Sequence, residues 1–134
     1  MSPPVNPAGK PLGKTVDLAG TGEPILLPSG QQVVLQDVVR DAPGPDGLTY
    51  RFRFIAPAIA REGGTVDVDP AMTDMAHLCE TYALPRLAGG GPMPAQVVIS
   101  LSDLALPFGE ASAEATQYFE AYRIENGACI WEVF

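Results

Sequence analysis

The chain has 134 residues, the length of one domain with one core, and an apolar fraction of 46% places it with globular and not disordered proteins. Eight basic residues against sixteen acidic ones leave a net charge of −8, which repels phosphate backbones and anionic headgroups and argues against nucleic acid or a membrane as partner. A cationic partner is permitted, although charge that keeps a small protein in solution is the simpler account.

No apolar run approaches the ~20 residues of a spanning helix, so membrane insertion is not expected. Met1 is followed by Ser2-Pro3-Pro4 and not by a basic and then apolar stretch. The chain is therefore read either as cytosolic or as a mature exported protein with an added start methionine. Residues 1–24 hold five prolines (Pro3, Pro4, Pro7, Pro11, Pro24) and few apolar positions to bury. They are expected to be extended or mobile, with a single α+β domain over 25–134.

Pro28-Ser29-Gly30 is a turn signal. It leads into Gln32–Arg40, whose alternating valines and leucine predict a strand. The string from Ala42 to Gly47 is a second turn. From Leu48 to Ile55, Leu48, Tyr50, Phe52 and Phe54 share one strand face while Thr49, Arg51 and Arg53 share the other. These two strands are expected to pair antiparallel.

Asp69-Pro70 predicts a helix start, with an acceptor at the cap and proline at the first helical position. Met72, Met75, Ala76, Cys79, Tyr82 and Ala83 then follow the spacing of one buried stripe, and Pro85 predicts an end at Leu84. After Gly89-Gly90-Gly91-Pro92, Ala95–Leu101 reads as a central strand, because it is apolar on both faces.

Asn126-Gly127 is the dipeptide that best supports a two-residue hairpin, here between Gln117–Ile124 and Ala128–Phe134. That turn fixes a register: Tyr122 faces Trp131, Ile124 faces Cys129 and Glu120 faces Val133, while the other face pairs Arg123 with Ile130 and Phe119 with Phe134. The expected fold is α+β: a mainly antiparallel sheet of four to five strands, one principal helix on one face, and a C-terminal β-hairpin.

Cys79 lies on the helix stripe and Cys129 on the hairpin face of Tyr122 and Trp131. A helix covering that face would point both sulfurs into one layer, which permits a bridge. Two buried, reduced thiols fit these residues equally well, and the redox compartment decides between the two.

Several blocks occur in an order that resembles a small family of uncharacterised, exported alphaproteobacterial proteins. They are Arg51-Phe52-Arg53-Phe54-Ile55-Ala56-Pro57, Ile59-Ala60-Arg61-Glu62-Gly63-Gly64-Thr65-Val66, Asp74-Met75-Ala76-His77-Leu78-Cys79, Val97-Val98-Ile99-Ser100-Leu101-Ser102-Asp103, Phe108-Gly109, the run from Ala115 to Arg123, and Cys129-Ile130-Trp131-Glu132. The similarity runs over about Pro28 to Phe134. It implies a periplasmic location, and with it a Cys79–Cys129 disulfide worth about 4 kcal/mol in the chain-entropy model. Some members of that family bear the label acetolactate synthase. Thiamine-diphosphate chemistry of that kind needs a far longer chain with a Gly-Asp-Gly motif, whereas the nearest string here is Pro45-Asp46-Gly47.

Metal and catalytic signals are weak. Met72, Met75, His77, Cys79 and Met93 invite a copper reading, but His77 points about 200° round the helix from Met75. Methionines at this spacing are usually core, so no metal is expected. One histidine, no Gly-x-Ser-x-Gly elbow and no phosphate loop at Gly89-Gly90-Gly91 leave no visible catalytic set and no cofactor.

Two candidate sites remain. His77 has Asp74 and Glu80 three residues to either side, within reach on a helix, and these carboxylates would raise its pKa. Separately, Arg51, Arg53 and Arg123, with Phe119 and Phe134, would line one sheet face suited to an anionic ligand or an acidic protein surface. The leading expectation is a non-catalytic periplasmic binding or accessory module for a protein or small anionic ligand, its oligomeric state open. The alternatives are a small enzyme built around His77, Asp74 and Arg61, and a subunit of a larger assembly.

Overall fold

The computed structural model describes residues 15–18, 20–44, 47–87, 93–110 and 112–132. Seven strands form one sheet: β1 (Thr15–Asp17), β2 (Pro24–Leu26), β3 (Gln32–Gly44), β4 (Gly47–Ile55), β5 (Gln96–Ser102), β6 (Gln117–Glu125) and β7 (Ala128–Glu132). The order across the sheet is β1-β3-β4-β5-β6-β7, and β2 shares the outer edge of β3 with β1. The five strands expected from alternation are present. The two additional ones have three residues each and lie in or beside the proline-rich segment, where a pattern of period two has no room to declare itself. Most of residues 1–24, Pro45-Asp46, Gly89-Gly90-Gly91-Pro92, and the pairs of Val133 and Phe134 lie outside the described residues.

The sheet is mainly antiparallel, as expected, but one of its pairings makes it mixed. β3 and β4 pair antiparallel as expected, but β4 and β5, at its centre, run parallel. The cause is the connection between them. A 3₁₀ turn (Pro57–Ile59) and the helical segment carry the chain back across the sheet, so the next strand enters in the same direction. β6 and β7 close as an antiparallel hairpin in the register set by Asn126-Gly127, with Tyr122 opposite Trp131 and Ile124 opposite Cys129. Asn126 and Gly127 both take positive φ, 52° and 74°, as that turn requires.

Helix α1 spans Val68–Leu78 and begins earlier than Asp69. Asp67 is the cap residue, so Asp69 and Pro70 fall within the first turn, where a missing N–H costs nothing and a carboxylate suits the helix dipole. Pro85 does not end the helical path. Cys79–Ala83 form a π turn in which the Leu84 N–H reaches back to the Cys79 carbonyl, and α2 (Leu84–Leu87) follows. The wider turn removes the clash that proline makes with an ordinary α-helical carbonyl. Arg86 then donates to the Tyr82 carbonyl at 3.0 Å and lies 3.4 Å over the Tyr82 ring.

The buried helix positions are Ala71, Asp74, Met75, Leu78, Cys79, Tyr82 and Ala83. Ala76, expected on the stripe, is exposed, and Met72 only half-buried. The stripe is turned toward Asp74 because that carboxylate has partners inside. Ser29 donates its N–H to Oδ1 (2.9 Å) and its hydroxyl to Oδ2 (2.5 Å), and Gln31 adds its Nε2 at 2.8 Å. Asp74 thereby bolts the Pro28-Ser29-Gly30 turn to the helix. Against this helix the inner sheet face sets Leu35, Phe52, Phe54, Val97, Ile99, Leu101 and Tyr122, all buried. Tyr82 packs edge-on to Phe52 and Phe54.

Cys79 and Cys129 are joined, their sulfurs 2.04 Å and their Cα atoms 6.3 Å apart. The Glu80 carboxylate also accepts the Cys129 N–H at 3.0 Å, which occupies part of the edge of β7. No described helix is long and apolar enough to cross a membrane.

Candidate functional site

The opposite face of the sheet is built differently. Pleating sends Arg51 and Arg53 of β4, Val98, Ser100 and Ser102 of β5, and Gln117 and Phe119 of β6 outward, and register sets them side by side. The connection from β5 to β6 folds back over them. Its base is tied by Asp103 and Thr116, which exchange backbone and side-chain hydrogen bonds of 3.1 and 2.7 Å. Its crest is tied at the Leu106 carbonyl, which accepts from Gln36 Nε2 at 2.8 Å and from Arg53 Nη2. Pro107–Glu110 forms a tight turn in which Gly109 takes φ +85°, a conformation that favours glycine. That turn presents the Phe108 ring to both guanidinium groups, 5.7 Å from Arg51 and 5.5 Å from Arg53.

Beneath this roof lies a cavity of about 330 Å³, lined by Arg51, Arg53, Phe54, Val98, Leu106, Phe108 and Phe119 among others, with Glu110 also on its wall. Its volume is at the small end of the range for ligand sites. The two arginines differ in what they do. Arg53 is committed: its Nε lies 3.0 Å from Asp37 Oδ1 and its Nη2 holds the roof. Burial pushes the Asp37 carboxyl up, and the Arg53 charge only partly opposes this. Arg51 forms no ion pair among the described residues, and its buried Nη1 has no hydrogen-bond partner among them. Burial lowers its pKa below the ordinary arginine value, so its charge is partly stripped of solvent, with no carboxylate paired to it among the described residues.

The structure thus brings together Arg51, Arg53 and Phe119 of the expected basic face. Arg123 stands apart, exposed and bound to Glu125 (2.7 Å) and Glu132 (3.4 Å). Phe134 lies outside the described residues.

The His77 group is not assembled in the same way. Asp74 is turned inward to Ser29 and Gln31, and Glu80 is taken by the Cys129 N–H. His77 shows no side-chain hydrogen bond or ion pair among the described residues and lines neither the roofed cavity nor a second, shallower one beside Arg61. Arg61 donates to the Ala113 carbonyl at 2.7 Å and shares that shallow cleft with Glu62, Asp103 and Glu114. Of the soft ligands, Met75 is fully buried in the core, Met93 is exposed, and Cys79 is bonded to Cys129. No cluster of three or more His, Cys, Asp or Glu among the described residues is placed to hold a metal ion.

Sequence reasoning missed Gln36, Leu106 and Phe108. Phe108-Gly109 next to Pro107 was the available signal, since proline followed two residues later by glycine marks a tight turn and aims the residue between them.

Comparison with curated proteins returned no match, and comparison with solved structures likewise returned none. Residues 11–134 match the family described as "Family of unknown function (DUF6497)". That match covers nearly the whole sequence, and the chain belongs to this family of unknown function.

Proposed function

We propose that the protein is a non-catalytic periplasmic binding module that takes a small anionic ligand in the roofed cavity on the outer sheet face. The single observation that carries this reading is the Arg51 guanidinium, half-buried against the cavity, with a buried Nη1 that no described residue satisfies. Leaving a buried donor unpaired costs on the order of 1–3 kcal/mol, and an anion in the cavity would remove that cost. The disulfide pair supports an oxidising compartment. The resemblance to exported proteins supports the periplasm as that compartment.

The test is an NMR titration that follows the Arg51 Nε–H and the Phe108 and Phe119 ring signals. Acetate, inorganic phosphate and anilinonaphthalene sulfonate are added in turn. At least one should shift all three signals saturably in the wild type and at least tenfold more weakly in Arg51→Gln. Signals that ignore all three anions, or an Arg51→Gln variant that binds as tightly as wild type, would sink the reading.

A further inference from the structure

We infer that the anion is a monocarboxylate on an apolar body, an acyl or aryl acid, and not a compact polyanion. This deepens the reading above and rests on it. The positive charge available in the cavity is that of one side chain. Arg53 is neutralised by Asp37 at 3.0 Å and held by the Leu106 carbonyl, which leaves Arg51 as the cation without a described counter-ion. Glu110 on the cavity wall and a net charge of −8 on the whole chain oppose a second or third negative charge. A phosphate or tricarboxylate brings that excess charge. A single carboxylate matches one guanidinium in both charge and planar geometry.

The rest of the wall sets the body of the ligand. Val98, Leu106 and Phe108 line the space next to Arg51. Phe119, 59% exposed, continues the apolar surface toward the mouth. An exposed aromatic gains most from a ligand that carries apolar surface past the cavity itself. A small hydrophilic anion would leave these walls facing water and would gain nothing from them.

Isothermal titration of the full chain with decanoate, 2-naphthoate, decanol, inorganic phosphate and citrate tests this. Decanoate or 2-naphthoate should bind, weakening at least tenfold in Arg51→Gln and several-fold in Phe119→Ser. Decanol, phosphate and citrate should each bind at least tenfold more weakly than the better acid. Phosphate or citrate binding more tightly than both acids, with Arg51→Gln abolishing it, overturns the inference and leaves the anion-binding reading standing. Decanol matching the better acid, or no anion binding at all, overturns both. Circular dichroism confirms that each variant is folded, and Arg51→Lys separates charge from geometry by restoring part of the affinity.

Discussion

On the inner face of the sheet, Phe54, Ile99 and Leu101 are essentially without exposure beneath a helix fastened at its middle, by Asp74 to Ser29 and Gln31, and just past its C-terminal end, by Cys79 to Cys129. On the outer face the cover is a loop tied at Leu106, Asp103 and Thr116, and it leaves a cavity beside Arg51, whose buried Nη1 has no hydrogen-bond partner among the described residues. Among the described residues, the buried carboxylate of the helix, Asp74, has its partners, whereas on the outer side the buried Nη1 of Arg51 has none. The difference separates what keeps the chain folded from what is left for a ligand, since folding alone gives no reason to hold an arginine half-buried and unmatched.

That contrast can be broken from the inner side first. Replacing both cysteines, Cys79→Ala with Cys129→Ala, reopens a loop of 50 residues. The chain-entropy model puts the loss at about 4 kcal/mol, read as a lower urea midpoint. Asp74→Ala strands three donors and is expected to cost about 3 kcal/mol, with Asp74→Asn costing less because one acceptor survives.

The outer side should divide between its two arginines. Arg53→Gln releases both Asp37 and the roof carbonyl and should cost about 1–2 kcal/mol. Arg51→Gln should leave stability unchanged or raise it, because a buried unpaired donor is removed, while it weakens anion binding. Equal stability losses from the two would erase the distinction drawn between them.

The smallest effect belongs to Tyr122. Burial, then the Glu120 charge, push its phenol well above the ordinary 10.0. A phenol held neutral when folded contributes stability that is whole below pH 10.0 and is lost as pH rises beyond it, because only the unfolded chain ionises there. Tyr122→Phe should flatten that alkaline decline in the urea midpoint.

Much of the inner layer was legible in the chain because it is local. Asn126-Gly127 set the hairpin register, and alternation from Leu48 to Ile55 set the faces of β4. The parallel pairing of β4 with β5 was legible in principle, since a helix between two neighbouring strands imposes it. The π turn at Cys79–Ala83 was not: Pro85 reads as a stop, and only the wider hydrogen-bonded turn lets the helix pass it.

The candidate site was legible by half. Alternation places Arg51 and Arg53 on one face but cannot distinguish them. The distinction comes from Asp37, which sits at a register shift between Leu35 and Asp37 in β3 that no pattern in the strand announces. The roof was illegible for a related reason: it owes its position to single contacts at the Leu106 carbonyl and not to any periodicity.

The roof has one more property, and it follows from chain order. β5 and β6 are adjacent and antiparallel, so the segment between Ser102 and Gln117 leaves the sheet and returns to it one strand over. On the way it lies over β4 and reaches Gln36 of β3, but it joins neighbouring strands, so no other strand stands between its ends. Its length and composition can therefore drift, or be exchanged by grafting, without re-threading the sheet or disturbing the layer bound by Asp74 and the cysteines. If the cavity holds a ligand as proposed, a chimera that swaps residues 104–115 would be the direct way to change that preference while the rest of the fold is kept.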